Sequence, residues 1–179
     1  MPAAVQVAST PKYRVADMQP DANIELLSSP VNPGQKSCAL LADKHTNYIE
    51  GVRGLLETAF ETIFTVADTD SLMEGTDRLQ PNVIVVDLPL AMGDFAGLIG
   101  QLRNSSPESK IIALTVYTEA ATVDAMLSAG AHGVVLKHCI ARDLLAAVDT
   151  VLEGDRFVTP DVGPVQLQNP TRSVEQGGR

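Results

Sequence analysis

PNVIVVDLPLAMGD, residues 81–94, decides the fold: four β-branched residues in a row, Val83 to Val86, run directly into an acid, Asp87. An unbroken apolar run of strand length suits a strand buried on both faces of a parallel sheet. Two later runs close the same way, IIAL (111–114) on Thr115 and GVVL (133–136) on Lys137. The pattern therefore places Asp87, Thr115 and Lys137 at the carboxyl edge of one sheet, where open α/β folds carry their chemistry. A carboxylate, a hydroxyl and an ammonium gathered there can form, hold and neutralise a phosphoryl group.

Working outward, strand-like and helix-like segments alternate from Cys38 onward. CALLA (38–42) leads to a helix opening near Thr46 or Asn47, where Asn47 and Glu50 have capping-box spacing and Ile49, Val52, Leu56 and Phe60 form an apolar stripe. TIFTVA (62–67) is a second strand, and helices are expected over 70–78, 96–103, 119–129 and 142–152. Leu144, Val148, Val151 and Leu152 give the last of these a buried face. Short connections between such units demand right-handed crossovers and a sheet covered on both sides. The reading is a doubly wound α/β fold, a flavodoxin-like (βα)5 parallel sheet of order 2-1-3-4-5 whose crevice lies beside Asp43 and Asp87. One domain is expected over residues 37–162, preceded by a flexible, proline-bearing extension (1–36) and followed by a polar tail (163–179) too short to bury a core.

Composition narrows the function classes. The chain has 179 residues, 45% of them hydrophobic, and a net charge of −9. Residues 38–162 carry ten excess negative charges with no basic stripe, which disfavours a nucleic-acid partner. No apolar stretch is long enough to cross a bilayer and the start lacks a secretory pattern, so no membrane partner and a cytoplasmic location are expected. Cys38 and Cys139 should lie at opposite ends of the sheet as reduced thiols, and three histidines offer no zinc-type spacing. Gly51, Gly54, Gly97 and Gly100 do not form a phosphate-cradling loop, and without Trp the chain offers little for a stacked flavin.

LLADKHTNYIEGVRGLLE (40–57) is similar to the opening of the receiver domains of bacterial two-component response regulators, in the subgroup usually fused to a helix-turn-helix domain, and LEGDRFVTPDV (152–162) resembles the segment leading into their linker. Separations of 44, 28 and 22 residues along Asp43, Asp87, Thr115 and Lys137 are close to that family's pattern. The resemblance implies that Asp87 accepts a phosphoryl group from the phosphohistidine of a histidine kinase or phosphotransfer protein. It gives Thr115 and Lys137 the role of holding the phosphoryl oxygens, with help from the amides of Leu88 and Val116. Mg²⁺ is the implied cofactor, on Asp43, Asp87 and the backbone carbonyl of Pro89. Output is implied through protein contacts, at the face of the fourth helix, fifth strand and fifth helix, or through a homodimer. With no helix-turn-helix segment in the sequence, the expectation is a stand-alone signalling module and not an enzyme.

The chain also departs from the family. Receivers commonly carry two adjacent acids after the first strand, whereas here the pair is Asp43-Lys44, which removes an oxygen ligand and adds a positive charge. Leu90-Ala91 and Phe95 replace the usual Met-Pro and Gly of the following loop, Val116 follows Thr115 where a small residue is common, Val134 stands at the aromatic switch position, and His138 follows Lys137 in place of Pro. Two poses of Lys44 give two readings. Turned to solvent, it leaves a weakened Mg²⁺ site and a phosphorylatable receiver; turned inward onto Asp87, it replaces the metal charge and makes a phosphorylation-independent pseudo-receiver adaptor. A lone loop residue, His138 is expected to be exposed and without a catalytic role.

Overall fold

In the computed structural model, described over residues 38–162, the strands are β1 (Cys38–Ala42), β2 (Thr62–Val66), β3 (Val83–Asp87), β4 (Lys110–Thr115), β5 (Gly133–Leu136) and β6 (Phe157–Val158). The helices between them are α1 (Thr46–Leu56), α2 (Thr69–Leu79), α3 (Phe95–Ser105), α4 (Ala120–Ala129) and α5 (Ile140–Leu152). All pairings are parallel and the order is β2-β1-β3-β4-β5-β6. The doubly wound fold and the order 2-1-3-4-5 expected from the sequence are present, extended by the two-residue edge strand β6 beside Gly133 and Val134. The extension 1–36 and the tail 163–179 lie outside the described residues.

Strand periodicity sorts the core onto two faces. Ala39, Leu41, Val83, Val85, Ile112 and Leu114 pack against α1 and α5, while their neighbours Leu40, Ala42, Ile84, Val86 and Ile111 face α2 and α3. Ala113 and Val134 continue the second face under α4. Every residue of β3 is buried, as a central strand between two helical layers must be. At about 25 cal/mol per Å² of apolar surface removed from water, these aliphatic runs are the principal favourable contribution to the fold.

Local chemistry fixes the ends of the elements. Asp68 and Asp94 cap α2 and α3 by accepting the amides of Ser71 and Gly97, both at 2.8 Å. Helix α1 is different: His45 occupies the cap position without a side-chain cap, and the Ile49 amide donates to its carbonyl at 3.3 Å. Asn47 thus lies within the first turn of the helix and not at the cap position. Helix α5 starts at Ile140, earlier than the expected 142, because Ile140 joins Leu144 and Val148 in the core. Helix α4 ends on Gly130 at φ +110°, where an added Cβ would stand 2.6 Å from Arg103 Nη1.

The thiols of Cys38 and Cys139 are both free, and their positions at the start of β1 and just after β5 put them at opposite edges. Burial pushes the Cys38 thiol up to about 11, which keeps it protonated and unreactive at neutral pH.

Candidate functional site

The parallel register gathers the expected residues at one edge. Asp87 closes β3 opposite Leu114, Thr115 follows Leu114 at the end of β4, and Thr115 pairs with Leu136, the residue before Lys137. Asp43 follows β1, its amide continuing the sheet ladder to the Val66 carbonyl at 3.1 Å. Asp43, Asp87 and Thr115 are buried at 1%, 0% and 0% exposure, so their polar atoms must find partners within the site. Lys137 opens a 3₁₀ turn (Lys137–Cys139), and its Nζ lies 2.6 Å from Asp87 Oδ2 and 3.5 Å from Asp43 Oδ2. The Thr115 Oγ1 accepts the Tyr117 amide at 3.0 Å, which leaves the hydroxyl proton for a second partner.

Two carboxylates buried side by side oppose one another. Burial is the main cause that lifts the Asp87 pKa above the usual carboxylate range; the Lys137 ammonium pulls it back and Asp43 pushes it further up. Asp43 Oδ2 and Asp87 Oδ1 are buried without a hydrogen-bond partner, an arrangement that costs stability unless a cation shares them. Such orphaned hard oxygens fit a divalent cation. The third expected ligand, the Pro89 carbonyl, sits in a 3₁₀ turn (Leu88–Ala91) and accepts the Met92 amide at 3.4 Å, a long contact that leaves a lone pair to spare. Met92, Val116 and Tyr117 form an exposed apolar rim on the loops of this edge.

Two features differ from the sequence reading. Lys44 is exposed, and the ammonium against the carboxylates belongs to Lys137, so the inward pose of Lys44 on which the pseudo-receiver reading depended is not adopted. Four methylenes let a lysine on an open loop carry its charge into water. The second feature is His45, which the sequence reading passed over. Its amide donates to Asp43 Oδ1 at 2.8 Å, and its Nδ1 lies 3.0 Å from that oxygen and 3.6 Å from Asp87 Oδ2. Asp43, His45 and Asp87 thus present donor atoms within 4.8 Å of one another, a juxtaposition that no ligand spacing in the sequence signals. Its one trace is position: His45 stands two residues past Asp43, in the loop at the carboxyl edge of the sheet.

A second donor group, His138, Cys139 and Asp161, also comes together within 4.8 Å. There Asp161 Oδ2 already accepts Cys139 Sγ at 3.1 Å and Arg142 Nη2 at 2.6 Å, and the guanidinium fills the place a cation would need. His138 is exposed, as expected.

The family model described as the response regulator receiver domain matches residues 39–149. The chain is 31% identical over 125 residues to the oxygen regulatory protein NreC of Staphylococcus carnosus, covering 68% of this chain and 57% of NreC. It is 27% identical over 139 residues to the transcriptional regulatory protein DegU of Brevibacillus brevis, covering 76% and 59%. The chain therefore spans somewhat over half the length of these curated relatives. Among solved structures, a LuxR-family two-component response regulator from Aurantimonas sp. aligns with a TM-score of 0.66 at 25% identity, over 72% of this chain and 93% of that one. The non-phosphorylated receiver domain of the stress response regulator RcsB from Escherichia coli gives 0.63 at 26% identity, over 70% and 99%. The chain belongs to the receiver-domain family of two-component response regulators.

Proposed function

We propose that Asp87 accepts a phosphoryl group from the phosphohistidine of a histidine kinase or a phosphotransfer protein, and that the phosphorylated unit, residues 37–162, signals through protein contacts. The observation that carries this reading is the buried Asp87 carboxylate with Lys137 Nζ 2.6 Å away at the carboxyl edge of the sheet. An Asp87 oxygen attacks phosphorus, the P–N bond to the donor imidazole breaks as the new P–O bond forms, and the imidazole leaves with a proton from solvent. The product is an acyl phosphate. Lys137 then pairs with a phosphoryl oxygen, and Thr115 donates its remaining hydroxyl proton to another. The amides of Leu88 and Val116 complete the cradle. Asp43, Asp87 and the Pro89 carbonyl would hold Mg²⁺, which when bound offsets charge on the phosphoryl oxygens.

The test uses the full chain with acetyl phosphate and Mg²⁺. The expected result is an acid-stable, base-labile mass gain of one phosphoryl group that maps to Asp87. Absence of that gain at saturating phosphodonor and Mg²⁺ would overturn the reading.

Exposed Lys44 stands where the family supplies a second acid, and that substitution sets the metal affinity. Lys44→Asp is expected to tighten Mg²⁺ binding by about tenfold, ~1.4 kcal/mol, because it adds an oxygen ligand and removes a like charge. Calorimetric titration reads it directly, and an unchanged affinity would mean that position 44 does not reach the pocket.

A further inference from the structure

We infer that Thr159 and Asp161, in the segment after β6, are positioning residues for Lys137: together they clip the 3₁₀ turn Lys137–Cys139 at both ends and so hold the ammonium against Asp87. The turn by itself is weakly determined. It is three residues long, has no side-chain cap and holds no proline to fix its backbone, and His138 at its centre is exposed. A lysine rooted on such a turn is free to carry its charge into water, as Lys44 does. Lys137 instead keeps its Nζ 2.6 Å from Asp87 Oδ2, with its side chain 14% exposed.

The restraint comes from residues 159–161. Thr159 donates its amide to the Val134 carbonyl at 3.0 Å, which continues the ladder between β5 and β6. There the ladder closes on a side chain. The Leu136 amide, immediately before Lys137, donates at 3.1 Å to the Thr159 hydroxyl oxygen, while the Thr159 carbonyl accepts the Val162 amide at 3.1 Å. Thr159 and Leu136 are both buried, so water does not replace this hydroxyl, and its loss leaves a buried amide without a partner. At the far end of the turn Cys139 Sγ donates to Asp161 Oδ2 at 3.1 Å, and Arg142 Nη2 donates to the same oxygen at 2.6 Å. Arg142 is in turn fixed on the buried Asp143 through Nε at 2.6 Å and Nη2 at 3.0 Å. The pair of Arg142 with Asp161 is half exposed and such pairs are weak, so Thr159 is the stronger anchor and Asp161 the weaker. With Leu136 and Cys139 both fixed, the root of Lys137 has little freedom, and its side chain reaches the acids from one place only.

The inference rests on the contact between Lys137 and Asp87 and not on phosphoryl transfer. Its test follows the ε-methylene resonance of Lys137 by NMR in the full chain, assigned by its loss in Lys137→Met and compared with that of exposed Lys44. Thr159→Val keeps the side-chain shape and removes the hydroxyl. It is expected to move the Lys137 resonance toward the Lys44 position, whereas Thr159→Ser, which keeps the hydroxyl, should hold it at the wild-type position. Asp161→Ala leaves the buried amide of Leu136 satisfied, so it gives a reading even where Thr159→Val does not fold, and should move the resonance the same way by a smaller amount. A Lys137 resonance unmoved in Asp161→Ala and in folded Thr159→Val, or moved as far by Thr159→Ser as by Thr159→Val, would overturn the assignment. A further arm, which does rest on the phosphoryl reading, is the rate of uptake from acetyl phosphate: it should slow about tenfold in Thr159→Val and stay within about twofold in Thr159→Ser. No uptake in the wild type would overturn the phosphoryl reading alone and leave the positioning role to be decided by the resonance.

Discussion

An Asp87→Asn chain is expected to take up no phosphoryl group from acetyl phosphate and, at pH 7, to melt above the wild type. The first effect follows from the proposed role of Asp87 as nucleophile: an amide oxygen is neutral and cannot form a stable acyl phosphate. The second follows from burial. Asp87 is fully inaccessible, its carboxylate is crowded by Asp43, and its pKa is raised in the folded state. Between the ordinary carboxylate pKa of about 3.9 and that raised value, the folded chain binds more protons than the unfolded one, so stability falls as pH rises through the window and stays lower above it. Asparagine does not titrate, and the variant escapes this loss. Lys137 would retain Asp43 as its counter-charge, so the substitution does not strand the ammonium. A gain of about 1 kcal/mol, or ~3–6 °C in Tm, is the scale expected for relieving one partly compensated buried charge. Thermal melts from acid to neutral pH check the sign: the two curves should converge at low pH and separate as pH rises. A variant that melts below the wild type at pH 7 would mean that the Lys137 contact outweighs the burial of the acid.

Burial of the central strands also explains which parts of the molecule could be read in advance. Val83–Asp87, Lys110–Thr115 and Gly133–Leu136 lie between two helical layers, and that environment demands unbroken apolar runs, the strongest signal a strand can leave in sequence. Their parallel register then places Asp87, Thr115 and Lys137 on one edge without further information. The details lost are those with no period or no backbone consequence. Strand β6 is two residues long, too short for alternation to register, and the 3₁₀ turns after β3 and β5 hide within loops. Side-chain poses are subtler still. Lys44 and His45 are neighbours in the chain, yet Lys44 goes to solvent while His45 folds back on the pocket because Asp43 Oδ1 captures its amide. Which of the two polar groups would face the acids depended on that single turn.

Replacing Lys137 by methionine is the most damaging substitution expected at this edge. The ammonium is the cation placed within 2.6 Å of Asp87 and 3.5 Å of Asp43, and the carboxylates themselves are 0% and 1% exposed. Methionine fills a similar volume, so packing is conserved and the electrostatic loss is isolated. Removing one partner of a buried ion pair costs about 3–5 kcal/mol, because the stranded charge keeps its desolvation penalty and loses its compensation. For a domain of this size that is a fall of about 10–20 °C in Tm. The pH dependence separates this cause from a packing defect. Without Lys137 the influence holding the Asp87 pKa down is gone, the folded-state value rises further, and stability is lost over a wider window above the ordinary carboxylate range. The deficit should therefore shrink toward pH 4, where Asp87 can take up a proton, and widen toward pH 8. Divalent cations should recover part of it, since an ion on Asp43 and Asp87 supplies the missing charge and stabilises the state that binds it. A deficit that is constant across pH and indifferent to divalent ions would show that Lys137 contributes by packing alone, and that the two acids are reconciled by some other group.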